Sequence, residues 1–396
     1  MFASGTAARS LRRAGVGADE VIGEEDVQKL LAIHASGPSV LSLYMWVPVD
    51  VAALPELSAR ADDLLKGAAE GTGGQRALKA RSAERQTAQS LVHLHGREWM
   101  GHTAAVFASH EAGLAATFAL PCLLPDRAVL AVSPHVRPLL VALQRCPAFQ
   151  AVVVDRQHTW LFRVTGDRID AEAQSEAAGV RDHRFGGWYG LESYRVNDRV
   201  AELAHRHYRD TAVMLEHPAE VGRLPLAIGG HEESVPAFLA ALPGSVRDRV
   251  AGTFVVDPHT MTPARVRALA APVIENWVHE RERQLVERIM QEPPGGLGAV
   301  GLNACLAAVN QRAVAVLVVP VGGLLPGFAC ESCGMLATHP AACAHGPSAV
   351  RPVPDLLEEM AVATRADGGE VVAVHDPPAD VAARLRFPLA RIQAPG

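Results

Sequence analysis

The sequence predicts an α/β protein built from three mixed α/β domains in series. Three observations carry this reading. With 396 residues, 49% of them hydrophobic and 20% charged, the chain has core material for more than one domain. Short β-rich runs (SVLSLYMWV, AVVVD, AVAVLVVP) alternate with segments of helical periodicity along its whole length. Two changes of pattern divide it: a meander of strand-like runs begins after residue 147, and a long charged helix leads into a last α/β pattern. These breaks place the domains at 1–147, 148–272 and 273–396.

In the first domain, Gly23–Ala35 reads as a helix. Glu24, Glu25 and Asp26 enrich its first turn, and Val27, Leu30, Leu31 and His34 recur at helical spacing. Ser39–Val47 is a strand ended by Pro48. Leu54–Glu70 and Leu78–His95 are helical patterns, followed by strands at Thr103–Ser109, Leu114–Leu120 and Ala128–Ser133 and a helix from His135 to Arg145. The middle domain opens with Ala151–Asp155, His158–Val164 and Arg168–Ser175 as an antiparallel meander with turns at Arg156–Gln157 and Gly166–Asp167. A strand at Leu224–Gly230, a helix at Glu232–Leu242 and a strand at Val246–Asp257 complete it. Pro263–Gln291 is a long helix interrupted at Pro272, whose alternating charges suit a link between domains. Beyond the PPGG break the pattern predicts a helix at Ala299–Asn310 and a buried strand at Ala313–Pro320. A cysteine segment follows, then a helix at Pro354–Ala366 and strands at Glu370–His375 and Val381–Phe387.

Composition excludes several classes. A net charge of -6 makes the chain no polycation, so any nucleic-acid contact is local. Lys29, Lys66 and Lys79 are its lysines; every other basic side chain apart from histidine is arginine, which favours planar, bidentate phosphate contacts. Six cysteines in a chain this long do not make a disulfide scaffold, and Cys122, Cys146 and Cys305 sit in apolar segments as core residues. No stretch is long and apolar enough to span a bilayer, and MFASGTAARSLRRAG has no apolar run after its basic residues, so the expectation is cytoplasmic.

The stretch Gly179–Asp210 (GVRDHRFGGWYGLESYRVNDRVAELAHRHYRD) is the main candidate site. A basic, glycine-rich loop carrying Arg181, His183, Arg184, Gly186, Gly187, Trp188 and Gly190 opens onto a polar helix. Paired glycines beside an aromatic suit a loop tip whose backbone approaches a partner closely. Arg195 and Arg199, four apart, share one helix face and suit phosphate contact. The plain alternative is a surface loop entering an amphipathic helix.

The second candidate is Cys330-Glu-Ser-Cys333 followed by Cys343-Ala-His345. The first pair offers two thiolates on one turn, and Cys343 with His345 completes a tetrahedral zinc set, with His339 a competing fourth ligand. The alternative is reduced cysteines placed by chance; redox use is disfavoured, because no helix start follows Cys333 to lower a thiol pKa. Other motifs are set aside. Gly73-Gly74-Gln75 is the tripeptide of peptidyl-tRNA hydrolysis, but here it reads as a linker between two helices. His205 and His207, two apart, point to different helix faces. Asp155, His158 and Asp182 have no activated serine to serve, and the glycine pairs at Gly229 and Gly322 make no dinucleotide fingerprint.

The order of parts carries a resemblance. VVVDRQHTWLFRVTGDRI, then a basic loop, Gly-Gly and an Arg-bearing helix, resembles the middle domain of archaeo-eukaryotic release factors. The chain is more similar still to the bacterial release-factor-like family, the Balon-like ribosome-associated factors. GLNACLAAVNQRAVAVLVV, C-x-x-C, DLLEEMAVATRADGGEVVAV and ARLRF resemble the closing domain of those proteins. The similarity covers roughly residues 148–390; the first domain fits in its size and its LSLYMWVP strand. It implies a ribonuclease-H-like middle domain and a third α/β/α domain related to proteins that bind kink-turn RNA. Gly186 and Gly187 match the family's paired glycines, and Trp188 stands where hydrolytic members carry glutamine. Tyr189-Gly190 continues a Balon-like pattern, and Arg195 and Arg199 fall on the basic helix after the loop. An indole N–H only donates, so Trp188 cannot replace an amide that positions water, but it can stack on an unpaired base. The resemblance thus implies a factor that occupies the ribosomal A site in hibernation or rescue, without efficient peptidyl-tRNA hydrolysis. Its implied partners are ribosomal RNA, tRNA and elongation factor Tu. A true release factor or peptidyl-tRNA hydrolase, and an RNA-binding protein acting off the ribosome, are the alternative expectations.

Overall fold

The first sheet shows why its sequence runs are so continuously apolar. Helix α1 (Glu24–Leu31) precedes strand β1 (Val40–Trp46), which is buried along nearly its whole length. Val40 and Tyr44 on one face enter one core; Leu41, Leu43 and Met45 on the other enter a second. A strand covered on both faces has no polar side to display. The second core packs on α2 (Leu54–Ala69) and α3 (Gln75–His95), which contribute Leu57, Ala61, Leu65, Ala88 and Val92. Strands β2 (Thr103–Ser109), β3 (Leu114–Leu120) and β4 (Arg127–Ala131) complete an antiparallel sheet in the order β3-β2-β1-β4, and α4 (Arg137–Arg145) follows.

The middle segment opens with the expected meander, β5 (Phe149–Val154), β6 (His158–Thr165) and β7 (Arg168–Glu176). Helix α5 (Leu191–Glu216), β8 (Leu226–Gly230), α6 (Ser234–Ala241), a short α7 (Gly244–Arg247) and β9 (Val250–Val255) follow. The sheet order is β7-β6-β5-β8-β9, with β5, β8 and β9 parallel. α5 and α6 cover one face; α8 (Pro263–Gln291) covers the other with Val266, Ala270, Ile274 and Val278.

The last segment has β10 (Gly298–Val300), α9 (Leu302–Asn310) and β11 (Val314–Pro320). A small three-stranded ribbon comes next: β12 (Gly327–Cys330), β13 (Leu336–Ala337) and β14 (Val350–Val353). Then come α10 (Leu356–Ala366), β15 (Glu370–Val374) and β16 (Ala382–Leu385). The main sheet runs β10-β16-β11-β15 and the ribbon β13-β12-β14.

This computed structural model describes residues 22–69, 75–176, 191–216, 224–292, 295–340, 343, 345–346, 349–375 and 377–389. They divide into two compact units, Met1–Arg145 with Arg281–Gly396 and, separately, Cys146–Glu280. The first and third segments therefore share a unit. A single core draws on both, joining Tyr44, Phe107, Val136 and Leu139 to Leu317, Leu356 and Met360. Three local expectations are corrected. The strand read from Val246 starts only at Val250, because Pro243 opens a helical turn in which its carbonyl accepts from Val246 N and Arg247 N. The helix read from Ala299 starts at Leu302, because Gly298–Val300 pairs with β16. Pro272 does not interrupt α8: one missing N–H is tolerated where the helix face is held by the sheet below it.

Candidate functional site

The two halves of the cysteine motif meet at one end of the ribbon. β12 delivers Cys330, and the chain reverses so that Gly334 N donates to Cys330 O at 2.9 Å. Gly334 has φ of 71°, a left-handed conformation that glycine adopts without a Cβ clash. This knuckle turns Cys333 back toward Cys330. The chain returning to β14 brings Cys343 and His345, and the four ligand atoms lie within 4.8 Å of one another. Cys333 Sγ and Cys343 Sγ are 3.7 Å apart; His345 Nδ1 is 3.4 Å from Cys343 Sγ and 3.9 Å from Cys330 Sγ. Zinc–sulfur bonds of about 2.3 Å in a tetrahedron put the sulfurs about 3.8 Å apart, and sulfur to nitrogen about 3.6 Å. The cluster therefore has the size of a tetrahedral zinc site, with three thiols and one imidazole as donors. His339, the competing fourth ligand, is not in the cluster.

Electrostatics within the knuckle favour a thiolate at Cys330. The Cys333 backbone N–H acts first, and with further hydrogen bonds it brings Cys330 down to about 6. Cys343 stays raised: the His345 N–H favours its thiolate, but the neighbouring Cys330 and burial outweigh it. Cys305 is ordinary core, pushed up to about 12 by burial, while Cys122 and Cys146 are half-buried.

Of the expected RNA-binding residues, Arg181, His183, Arg184, Gly186, Gly187, Trp188 and Gly190 lie outside the described residues. Arg195 and Arg199 lie within the range of α5. What the structure adds is the anchor of that helix. Ala204, His207, Tyr208, Thr211, Ala212 and Leu215 form its buried row. Thr159 Oγ1 meets His207 Nε2 at 3.0 Å and Thr211 Oγ1 at 3.1 Å, and burial lowers the His207 pKa. His205 is exposed, so the two imidazoles do face apart. Asp155 is a turn-former, accepting from Gln157 N and His158 N at 2.6 Å. Gly73 and Gly74 lie outside the described residues, and Gln75 begins α3.

The structure also reveals a polar cluster that the sequence reading missed. His135 Nε2 lies 3.0 Å from Asp355 Oδ2 and 3.4 Å from Glu358 Oε2, all three residues buried. Arg137, 1% exposed, donates from Nη1 to Pro320 O at 2.7 Å and Gly322 O at 3.3 Å, and from Nη2 to Gly323 O at 2.6 Å and Asp355 Oδ2 at 2.7 Å. Glu358 accepts from Val136 N at 2.7 Å and Arg137 N at 2.8 Å, capping α4 from another segment. The only local signal was the basic residues in SPHVRPLL and the acidic ones in PDLLEEM.

Among solved structures, the chain is similar to an archaeal translation termination factor at 14% identity over 94% of this chain and 99% of that one, with a TM-score of 0.24. It is similar to Pelota of Archaeoglobus fulgidus at 14% identity over 73% and 80% of the two chains, TM-score 0.33. A translation termination-like factor of S. cerevisiae matches at 10% identity over 74% and 83%, TM-score 0.39. No curated protein matches the chain. In sequence, residues 134–283 match the model of bacterial archaeo-eukaryotic release factor family 10. In this middle segment, the chain is similar to the bacterial archaeo-eukaryotic release-factor family.

Proposed function

We propose that this protein is a ribosome-associated translation factor of the hibernation or rescue type, acting in the A site without efficient peptidyl-tRNA hydrolysis. The observation that carries the reading is the family match over residues 134–283, which contains the Gly186-Gly187-Trp188 loop. A hydrolytic loop needs a side chain that both donates to and accepts from water, and tryptophan only donates. The loop and α5 supply what RNA binding needs instead: arginines for phosphate and an aromatic for stacking. In this reading the protein is cytoplasmic; among the described residues no helix is long and apolar enough to cross a membrane. Ribosomal RNA is the principal partner, with tRNA and elongation factor Tu as further ones.

Cys330, Cys333, Cys343 and His345 would hold one zinc ion, a structural centre with no open position for chemistry. The test of function is co-sedimentation with ribosomes, paired with a peptide-release assay on stalled complexes. Binding without release is expected. Release above buffer that disappears in Trp188→Ala would replace this reading with a hydrolase, and no sedimentation would remove the ribosome from it. For the metal, elemental analysis should find about one equivalent of zinc in the parent and none in Cys330→Ser.

A further inference from the structure

The cysteine cluster and the buried His135–Arg137–Asp355–Glu358 cluster are built on one short piece of chain. β12 and β14 pair in register, Cys330 opposite Val350 at one end and Gly327 opposite Val353 at the other. The cysteine end carries the proposed metal ligands. The Gly327 end is pressed against α10: a Cβ on Gly327 would lie 3.0 Å from Leu356 Cβ and 3.1 Å from Ala337 O. Just before β12, Leu325 N donates to Asp355 Oδ1 at 3.2 Å, and Leu325 O accepts from Leu356 N at 2.5 Å. Just after β14, Asp355 caps α10, accepting from Leu357 N at 3.2 Å. The ribbon therefore sets where Asp355 and, one turn on, Glu358 are held. These two carboxylates in turn hold His135, Arg137 and the first N–H groups of α4.

The buried cluster is not itself a second metal site. Asp355 Oδ1 is taken by Leu325 N and Leu357 N, and Oδ2 by His135 and Arg137. Both Glu358 oxygens accept backbone N–H groups, and a guanidinium already occupies the place of a cation. Its occupants come from the N-terminal segment and its frame from the ribbon. We infer that metal binding at the ribbon and docking of the N-terminal segment onto α10 are reciprocally coupled, so that losing the metal loosens the α4–α10 joint. This rests on the metal reading of the cysteine cluster. Whatever folding free energy the ion contributes to the knuckle reaches Asp355 through four paired residues on each strand.

The test uses the full-length protein, loaded with zinc or stripped by a chelator, and hydrogen exchange read by mass spectrometry. Peptides covering 135–145 and 353–359 should exchange on the order of tenfold faster when stripped, a coupling of ordinary allosteric size, while 149–165 should not change. Linkage requires the converse: Arg137→Met should weaken zinc affinity by the same order, measured by competition with a chromophoric chelator. Glu358→Gln, which keeps the volume, is the milder second variant and should move affinity in the same direction. Zinc uptake with no change at 135–145 on stripping, and parental affinity in both variants, overturns the coupling alone. No zinc uptake, shown by metal content, overturns the metal reading and the coupling with it.

Discussion

Arg137→Met is the most severe single change the joint offers. The arginine is 1% exposed, and its guanidinium serves Pro320 O, Gly322 O, Gly323 O and Asp355 Oδ2. Methionine fills the stem but donates nothing. Asp355 keeps its contacts with His135, Leu325 N and Leu357 N, so its charge is not wholly orphaned. Of the loop carbonyls, Gly323 O keeps a longer contact, from Arg127 Nη1 at 3.5 Å. Removing one partner of a buried pair costs about 3–5 kcal/mol, and the three carbonyls keep the change within that range despite the contacts left to Asp355. In a unit of this size, that lowers Tm by about 6–20 °C. The assay is urea unfolding with hydrogen exchange read in peptides 135–145 and 356–366, and in 149–165 as the internal control from the other unit. The first two should lose protection at lower urea while the control holds. A change below about 1 kcal/mol, the scale of an exposed ion pair, or equal loss in both units would refute the reasoning.

Acid sensitivity follows from the same cluster. Burial raises Asp355, but the His135 hydrogen bond and the Arg137 charge outweigh it and bring the group to about 2. A depressed carboxylate contributes stability above its unfolded pKa of about 3.9, and that contribution is lost as pH falls through about 2. Glu358, raised chiefly by burial, has the opposite sign. Asp355→Asn should therefore flatten the loss of stability between about pH 4 and pH 2 in an acid titration followed by circular dichroism, and an unchanged profile would count against the assignment. In the middle unit, Gly229→Ala places a Cβ 2.3 Å from the Phe254 ring, and overpacking of about 1–3 kcal/mol should appear as a lower Tm for that unit. On ribosomes, Arg195→Ala and Arg199→Ala should each reduce the salt slope of binding by about one unit, read by sedimentation across a salt titration. Trp188→Ala should cost about 1–3 kcal/mol of binding with little change in that slope, and wild-type affinity would exclude base stacking.

The sequence was most readable where the physics is local. β5, β6 and β7 follow from short β-rich runs separated by turn signals. The cysteine cluster was readable because its ligands lie close in the chain, with Cys330 and His345 fifteen residues apart. The joint was not readable, because His135 and Asp355 are 220 residues apart and neither stands in a motif. Read alone, PHVRPLL is the start of an amphipathic helix without a cap. Its cap is Glu358, which only the folded chain supplies. Continuity through Pro272 was hidden for a related reason: the loss of one N–H is a local signal, and the packing of Ala270 and Ile274 on the sheet, which overrides it, is not.

The joint also bears on how the family segment is carried. The matched residues begin at 134, one before His135, and end at 283. Gln144, near the entry, donates from Nε2 to Glu282 Oε1, near the exit, at 2.6 Å. The same amide donates to Ala373 O at 3.0 Å and accepts from Ala373 N at 2.6 Å, satisfying the edge of β15. Both ends of the segment are thus fastened to each other and to the C-terminal sheet, within the unit formed by the first and last parts of the chain. An insertion fastened at adjacent points adds little closure entropy to the fold of its host, because its ends need not be brought together separately. The host, in turn, depends on α4, a helix that belongs to the family segment and has no cap of its own. Replacing residues 134–283 by a short linker would therefore remove more than the proposed RNA-contacting residues around Trp188. It would leave Asp355 and Glu358 buried without His135 and Arg137, and the remaining parts should fail to fold as a stable unit.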